Sequence, residues 1–196
     1  KTLAKELESM GVEVHVDEER GTGLIGIIHG EKTGKAIALR ADIDALPVQE
    51  HNTFDFKSDV DGKMHACGHD GHMAILLGAA KMLTSMKDRI EGDVYLAFQP
   101  AEETGAGAPV FMKFGDWFEK VDAIFGGHVW IDLPAGLISV EAGPRMAASS
   151  KITINVKGKQ GHGAQPHQAV DAIVVASAIV MNLQTVVSRN VSALDS

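Results

Sequence analysis

Along the chain, short apolar runs of strand length alternate with stretches whose apolar positions recur at helical spacing. KTLAKELESMG opens it with Leu3, Leu7 and Met10 on one stripe and Gly11 as a stop, which predicts a helix. VEVHV (12–16) and GLIGIIHG (23–30) predict strands divided by the turn-like DEERGTG, and KAIALRAD (35–42) predicts a strand buried on both faces. Residues 43–63 predict loop. GHMAILLGAAKMLTSMK (71–87) predicts a helix that Asp70 is placed to cap. DVYLAFQP (93–100) and DAIFGGHVW (122–130) predict two more strands, with a helix over Val110–Phe118 between them. Strands alternating with helices in this way predict an α/β fold, a mostly parallel sheet with covering helices.

The texture changes near Ala147, dividing the chain into 1–146 and 147–196. KITINV (151–156) predicts a period-two strand, GKQGHGAQPH (158–167) a glycine-rich loop, and QAVDAIVVASAIVMNLQTVV (168–187) a long apolar helix. One strand and one helix cannot bury that much apolar surface alone. Residues 147–196 therefore predict the start of a second, smaller domain, covered by its own remainder or by a partner chain. The opening helix begins without a methionine, which predicts a fold that starts further upstream.

Composition narrows the function classes. At 196 residues and 45% hydrophobic side chains, the chain can bury a real core. A net charge of −8 with scattered Lys and Arg excludes a basic stripe for nucleic acid. The longest apolar run, AIVVASAIVM (172–181), is shorter than the roughly 20 residues of a bilayer span, so no membrane segment is expected. A single cysteine excludes an internal disulfide and points to a reducing compartment, the cytoplasm.

The chemistry concentrates at strand ends. Asp42 and Asp44 follow one predicted strand, Glu102 and Glu103 another, His128 a third, while Cys67 and His69 of MHACGHDGHM precede a predicted helix. Ligands collect beyond the carboxyl ends of strands in open α/β sheets, so these clusters share one edge. Cys67 and His69 point to one side only on extended or looped backbone. Thiolate, imidazole and carboxylate together suit zinc, cobalt, nickel or manganese rather than calcium or magnesium. Of Glu102 and Glu103, one carboxylate suits the metal and the other proton transfer. Asp70 is a candidate both as cap and as ligand; His65 and His72 are candidates for capping or for supporting the ligands. His15, His29 and His51 lack such company and read as surface or loop residues. Two rival readings stay open: Cys67 as a nucleophile activated by His69 or His128, and a metal-stabilised scaffold without turnover.

With these residues assembled, the chain resembles the aminoacylase and carboxypeptidase superfamily of two-metal hydrolases. It is most similar to the branch of hippurate hydrolases, N-acyl-amino-acid amidohydrolases and auxin-conjugate hydrolases. ALRADIDALPVQE (38–50), MHACGHDGHMA (64–74), FQPAEETGAGA (98–108), GGHVW (126–130) and GKQGHGAQPHQAVDAI (158–173) carry the resemblance. It implies a zinc-exopeptidase-like catalytic domain holding two divalent ions (Zn, Mn, Co or Ni) and an inserted α+β dimerisation or lid domain. It further implies Cys67, His69, Glu103 and His128 as metal ligands, Glu102 as general base, and Asp42 and Asp44 as acids that orient rather than ligate. His162 resembles a histidine that reaches across a homodimer to the substrate carbonyl, while His167 shapes its loop. The implied substrates are N-acyl amino acids or dipeptides. Family members are about twice as long and draw a last histidine ligand from a later segment, which implies an incomplete site in this chain alone.

Overall fold

The structure, a computed structural model, describes residues 1–144, 146 and 151–190. The expected division between 146 and 147 falls against 147–150, which lie outside the described residues. The chain forms two compact units, Lys1–Ile138 and Ser139–Ser196.

The first unit runs α1 (Thr2–Ser9), β1 (Glu13–Val16), β2 (Leu24–His29), β3 (Ile37–Asp42), α2 (His69–Thr84), β4 (Asp93–Gln99), α3 (Gly107–Phe111), α4 (Trp117–Lys120) and β5 (Ala123–Gly126). The strands form one sheet in the order β1-β2-β4-β3-β5. β3 pairs in parallel with both β4 and β5, whereas β2 is antiparallel to β4 and to β1. Four of the five strands therefore point the same way, as an α/β fold requires, and the parallel trio β4-β3-β5 carries the chemical residues beyond its carboxyl ends.

The core follows from period two. On β4, Val94, Leu96 and Phe98 face one side and join Leu7, Leu24, Ile28, Leu76 and Ala80 from α1, β2 and α2. Tyr95 and Ala97 face the other and join Ile25, Ala38, Phe111 and Trp117. Helices cover both faces of β4, so its sequence is apolar without alternation. The stripe expected on α1 packs as expected, with Leu7 buried and Leu3 and Met10 against the same cluster.

Three boundaries differ from expectation. α2 starts at His69 rather than Gly71, and its N-cap is Gly68 in a left-handed conformation, φ 81°, so Asp70 does not cap it. Asp70 is instead an exposed residue of the first turn, where its charge suits the helix dipole. The helix expected over Val110–Phe118 is two short helices, broken around Gly115 at φ 64°. β5 stops at Gly126 because its pairing with β3 ends at Arg40, which leaves His128 on the loop beyond.

In the second unit, α5 (Ala172–Asn190) forms as expected and Asp171 caps it, its Oδ1 accepting the N–H groups of Ile173 at 2.8 Å and Val174 at 3.2 Å. KITINV is not a strand: a strand is defined by pairing, and among the described residues none lies beside it. Among the described residues of this unit, the one ladder contact is an antiparallel bridge between Lys159 and Val170 that closes the glycine-rich loop. Ile173, Val174, Met181 and Leu183 of α5 are exposed. Among the described residues no helix is long and apolar enough to cross a membrane.

Candidate metal centre

Four backbone segments deliver the site. β3 ends at Asp42 and leads to Asp44; β4 ends at Gln99 and turns through Pro100 and Ala101 to Glu102 and Glu103; the loop after β5 brings His128; and the start of α2 brings Cys67 and His69. The turn after β4 is tight. Ala101 adopts φ 56°, a conformation costly for a residue with a Cβ, and its carbonyl accepts the Gly107 N–H at 3.1 Å. A Cβ on Gly107 would lie 2.0 Å from the Pro100 oxygen, so only glycine closes this turn.

Hydrogen bonds decide what each imidazole can do. His69, 1% exposed, donates from Nδ1 to the Asp44 carbonyl at 3.0 Å. That assigns the proton to Nδ1 and leaves the Nε2 lone pair free. Nε2 is buried without a hydrogen-bond partner, 3.9 Å from Glu103 Oε1 and 4.0 Å from Glu102 Oε2. His128 donates from Nδ1 to the Val129 carbonyl at 2.5 Å, so its Nε2 lone pair faces the Cys67 sulfur 3.5 Å away. An imidazole anchored through one nitrogen and open at the other is the ordinary arrangement of a metal-binding histidine.

His72 differs. Its Nδ1 donates to Asp42 Oδ1 at 2.5 Å and its Nε2 accepts the Val129 N–H at 2.9 Å, so neither nitrogen has a lone pair to spare. Asp42, also buried, is engaged through both oxygens, since Oδ2 accepts from the Arg40 guanidinium at 2.8 Å. Burial works against its ionisation, but the hydrogen bond from His72 and the Arg40 charge outweigh it and hold the carboxyl below its usual range. Asp42 thus holds the His72 ring and the Arg40 guanidinium in place. Asp44 holds two neighbours, its carbonyl accepting from His69 Nδ1 and its Oδ2 accepting the Glu103 N–H at 3.1 Å. Arg40 and Gln99, joined at 3.0 Å, escaped the reading of the sequence. The available signal was position: Arg40 lies two residues before Asp42 on the same strand face, and Gln99 pairs in register with Asp42.

The donor groups that converge within 4.8 Å of one another are Cys67, His69 and His128, and His69, Glu102 and Glu103. A third set, Asp42, His69 and His72, meets the same distance; both His72 nitrogens are committed, and Asp42 Oδ2, 3.5 Å from His69 Nε2, already accepts from Arg40. Burial, the hydrogen bond to Glu103, and the charges of Glu103, Glu102 and Asp42 all push the Cys67 thiol up. A thiol so placed is a poor free nucleophile. Among the described residues, the buried side-chain atoms without a hydrogen-bond partner are Asp44 Oδ1, His65 Nδ1 and His69 Nε2, and all belong to the segments that build this site. Such orphaned atoms are costly unless something outside the polypeptide satisfies them. The donor set of sulfur, nitrogen and carboxylate oxygen therefore fits a borderline divalent ion.

Two candidates stand apart. Asp70 is in none of these donor sets, because the early start of α2 leaves it exposed on the first turn. His162 belongs to the second unit, where it is exposed and its Nδ1 accepts the Ala164 N–H at 3.2 Å. His29 and His15 are surface residues, but in company: His29 bridges Glu13 and Asp93, each at 3.0 Å, and His15 meets Glu13 at 2.6 Å.

A family model described as peptidase family M20/M25/M40 matches residues 38–193. The chain is 43% identical over 96% of its length to an N-acyl-L-amino acid amidohydrolase of Geobacillus stearothermophilus, of which it covers 51%. It is 43% identical over 97% of its length to thermostable carboxypeptidase 1 of Saccharolobus solfataricus, covering 49% of that protein. The crystal structure of a Bacillus subtilis protein described as a dinuclear metal binding peptidase from M20 family superposes with a TM-score of 0.69 at 44% identity, over 73% of this chain and 40% of that one. The chain spans about half the length of the curated relatives it matches.

Proposed function

The chain belongs to peptidase family M20/M25/M40, and from that premise we propose a metal-dependent amidohydrolase that cleaves the amide bond of N-acyl amino acids. The observation that carries this reading is the buried, unpartnered Nε2 of His69 beside Glu102 and Glu103, with the Cys67 and His128 donors facing each other at 3.5 Å. Cys67, His69, Glu103 and His128 are the residues that would hold two divalent ions of the zinc, manganese, cobalt or nickel kind. When bound, such ions supply Lewis acidity to the scissile carbonyl and to water, whose pKa falls toward about 7.

The two glutamates lie almost equally far from His69, so hydrogen bonding separates their roles. Glu103 is tied in by its N–H to Asp44 and by its carboxylate to the Cys67 thiol, and its side chain is 25% exposed; that of Glu102 is 44% exposed. Glu103 suits a fixed ligand and Glu102 a mobile base. In hydrolysis the Glu102 carboxylate takes a proton from the attacking water as its oxygen bonds to the carbonyl carbon. It returns the proton to the amine nitrogen as the C–N bond breaks. His162, supplied by a second copy of the chain, would hold the carbonyl oxygen. Residues 1–146 then form the amino-terminal part of the catalytic domain and 147–196 the first part of a dimerisation domain, whose exposed α5 supports homodimer formation. A free thiol at the centre fits a reducing compartment, the cytoplasm.

Glu102→Gln should abolish turnover of N-acetyl and N-benzoyl amino acids while metal content, read by elemental analysis, stays at the wild-type level; a variant that keeps its activity removes the base assignment. The similarity to a carboxypeptidase favours one second reading, cleavage of dipeptides or carboxyl-terminal peptide bonds by the same chemistry. Parallel kcat/KM measurements on N-acyl amino acids and dipeptides decide between them.

A further inference from the structure

We infer that His72 is a positioning residue that sets the spacing between the Cys67 and His128 donors, an inference that rests on the metal-site reading above. His72 is 5% exposed, takes no part in the proposed mechanism, and lies between the two segments that carry those donors. From α2 its Nδ1 reaches Asp42 at the end of β3, and its Nε2 accepts the N–H of Val129. Val129 follows His128 directly, and its carbonyl receives the His128 Nδ1–H. Both peptide groups of Val129 are therefore pinned, one by His72 and one by the ring that His72 indirectly holds.

A second contact closes the arrangement. Val129 packs so tightly on Gly68 that a Cβ there would lie 2.3 Å from Val129 Cγ2, and Gly68 is the residue between Cys67 and His69. The rings of His72 and His128 also meet edge to face, with centroids 4.6 Å apart. Fixing Val129 thus fixes the His128 ring on one side and the Cys67–His69 segment on the other. The rival role for His72, as a ligand with Asp42 and His69, would require it to surrender one of two good hydrogen bonds.

The test uses cobalt(II) titrations of the intact metal-free protein, read by calorimetry and by the thiolate-to-cobalt charge-transfer absorption. His72→Phe keeps the ring's packing but has neither nitrogen, and should weaken cobalt affinity about 10–100-fold, the usual effect of losing a residue that supports metal ligands. His72→Gln presents one donor and one acceptor and should recover most of the loss. Wild-type affinity in His72→Phe overturns the inference. So does a glutamine variant whose cobalt affinity falls about 10–100-fold below wild type, because His72 would then itself be a ligand; this comparison with wild type decides even where His72→Phe fails to fold. A wild-type protein without the charge-transfer band removes Cys67 as a ligand and with it the site reading, a distinct outcome.

Discussion

His69 and His72 sit three residues apart on one helix, both buried, and differ only in what their nitrogens meet. One is anchored at Nδ1 with Nε2 unpartnered; the other is satisfied at both ends. Between Cys67 and His69, Gly68 adopts φ 81° and touches Val129, a combination open only to glycine. Gly68→Ala should cost about 1–3 kcal/mol for the left-handed conformation alone. For a chain of this size each kcal/mol lowers Tm by roughly 2–4 °C. Calorimetry of the metal-free protein checks this, and an unchanged Tm would contradict the strain argument.

At the level of elements, β4 is the spine, covered on both faces and continued by the turn that presents Glu102 and Glu103. The edge strand β1 and its neighbour β2 are joined to it by the side chains of Glu13, His29 and Asp93 as well as by backbone pairing. Hydrogen bonds to Glu13 and then to Asp93 raise the His29 pKa, and those from His29 and then His15 lower that of Glu13. Stability from His29 is complete below its ordinary pKa and is lost as pH rises through the raised one. Stability from Glu13 is present above the ordinary carboxylate value and is lost as pH falls through the lowered one. The Tm difference between wild type and His29→Gln should therefore peak between these limits and close on both sides. All three side chains are well exposed, so solvent keeps the difference small. A difference persisting at alkaline pH would assign it to packing instead.

For the whole molecule, the net charge of −8 includes a cluster of carboxylates around Cys67 that a divalent cation would neutralise. A cation that binds the folded state and not the unfolded one stabilises by mass action, by about 2.7 kcal/mol at one hundred times its Kd. Chelation should accordingly lower Tm, and titrating zinc or manganese back should raise it progressively. In a Cys67→Ala, His69→Ala double variant the chelator should have no effect on Tm.

Much of this was legible beforehand. The apolar period identifies every strand of the first unit, and strand ends followed by acids or imidazoles gather the candidate residues at one sheet edge. KITINV has the period of a strand and is not one, because strand formation depends on a neighbour that local pattern does not reveal. Asp70 does not cap α2, because a left-handed glycine moves the helix start by two residues. The amino-acid sequence by itself determined which donor atoms exist and which edge they gather at, since both follow from local periodicity and side-chain chemistry. Only the tertiary structure decided which donors remain available. A lone pair on His69 or His72 is free or spent according to Asp42, Asp44 and Val129, residues remote along the chain that folding brings within hydrogen-bond reach.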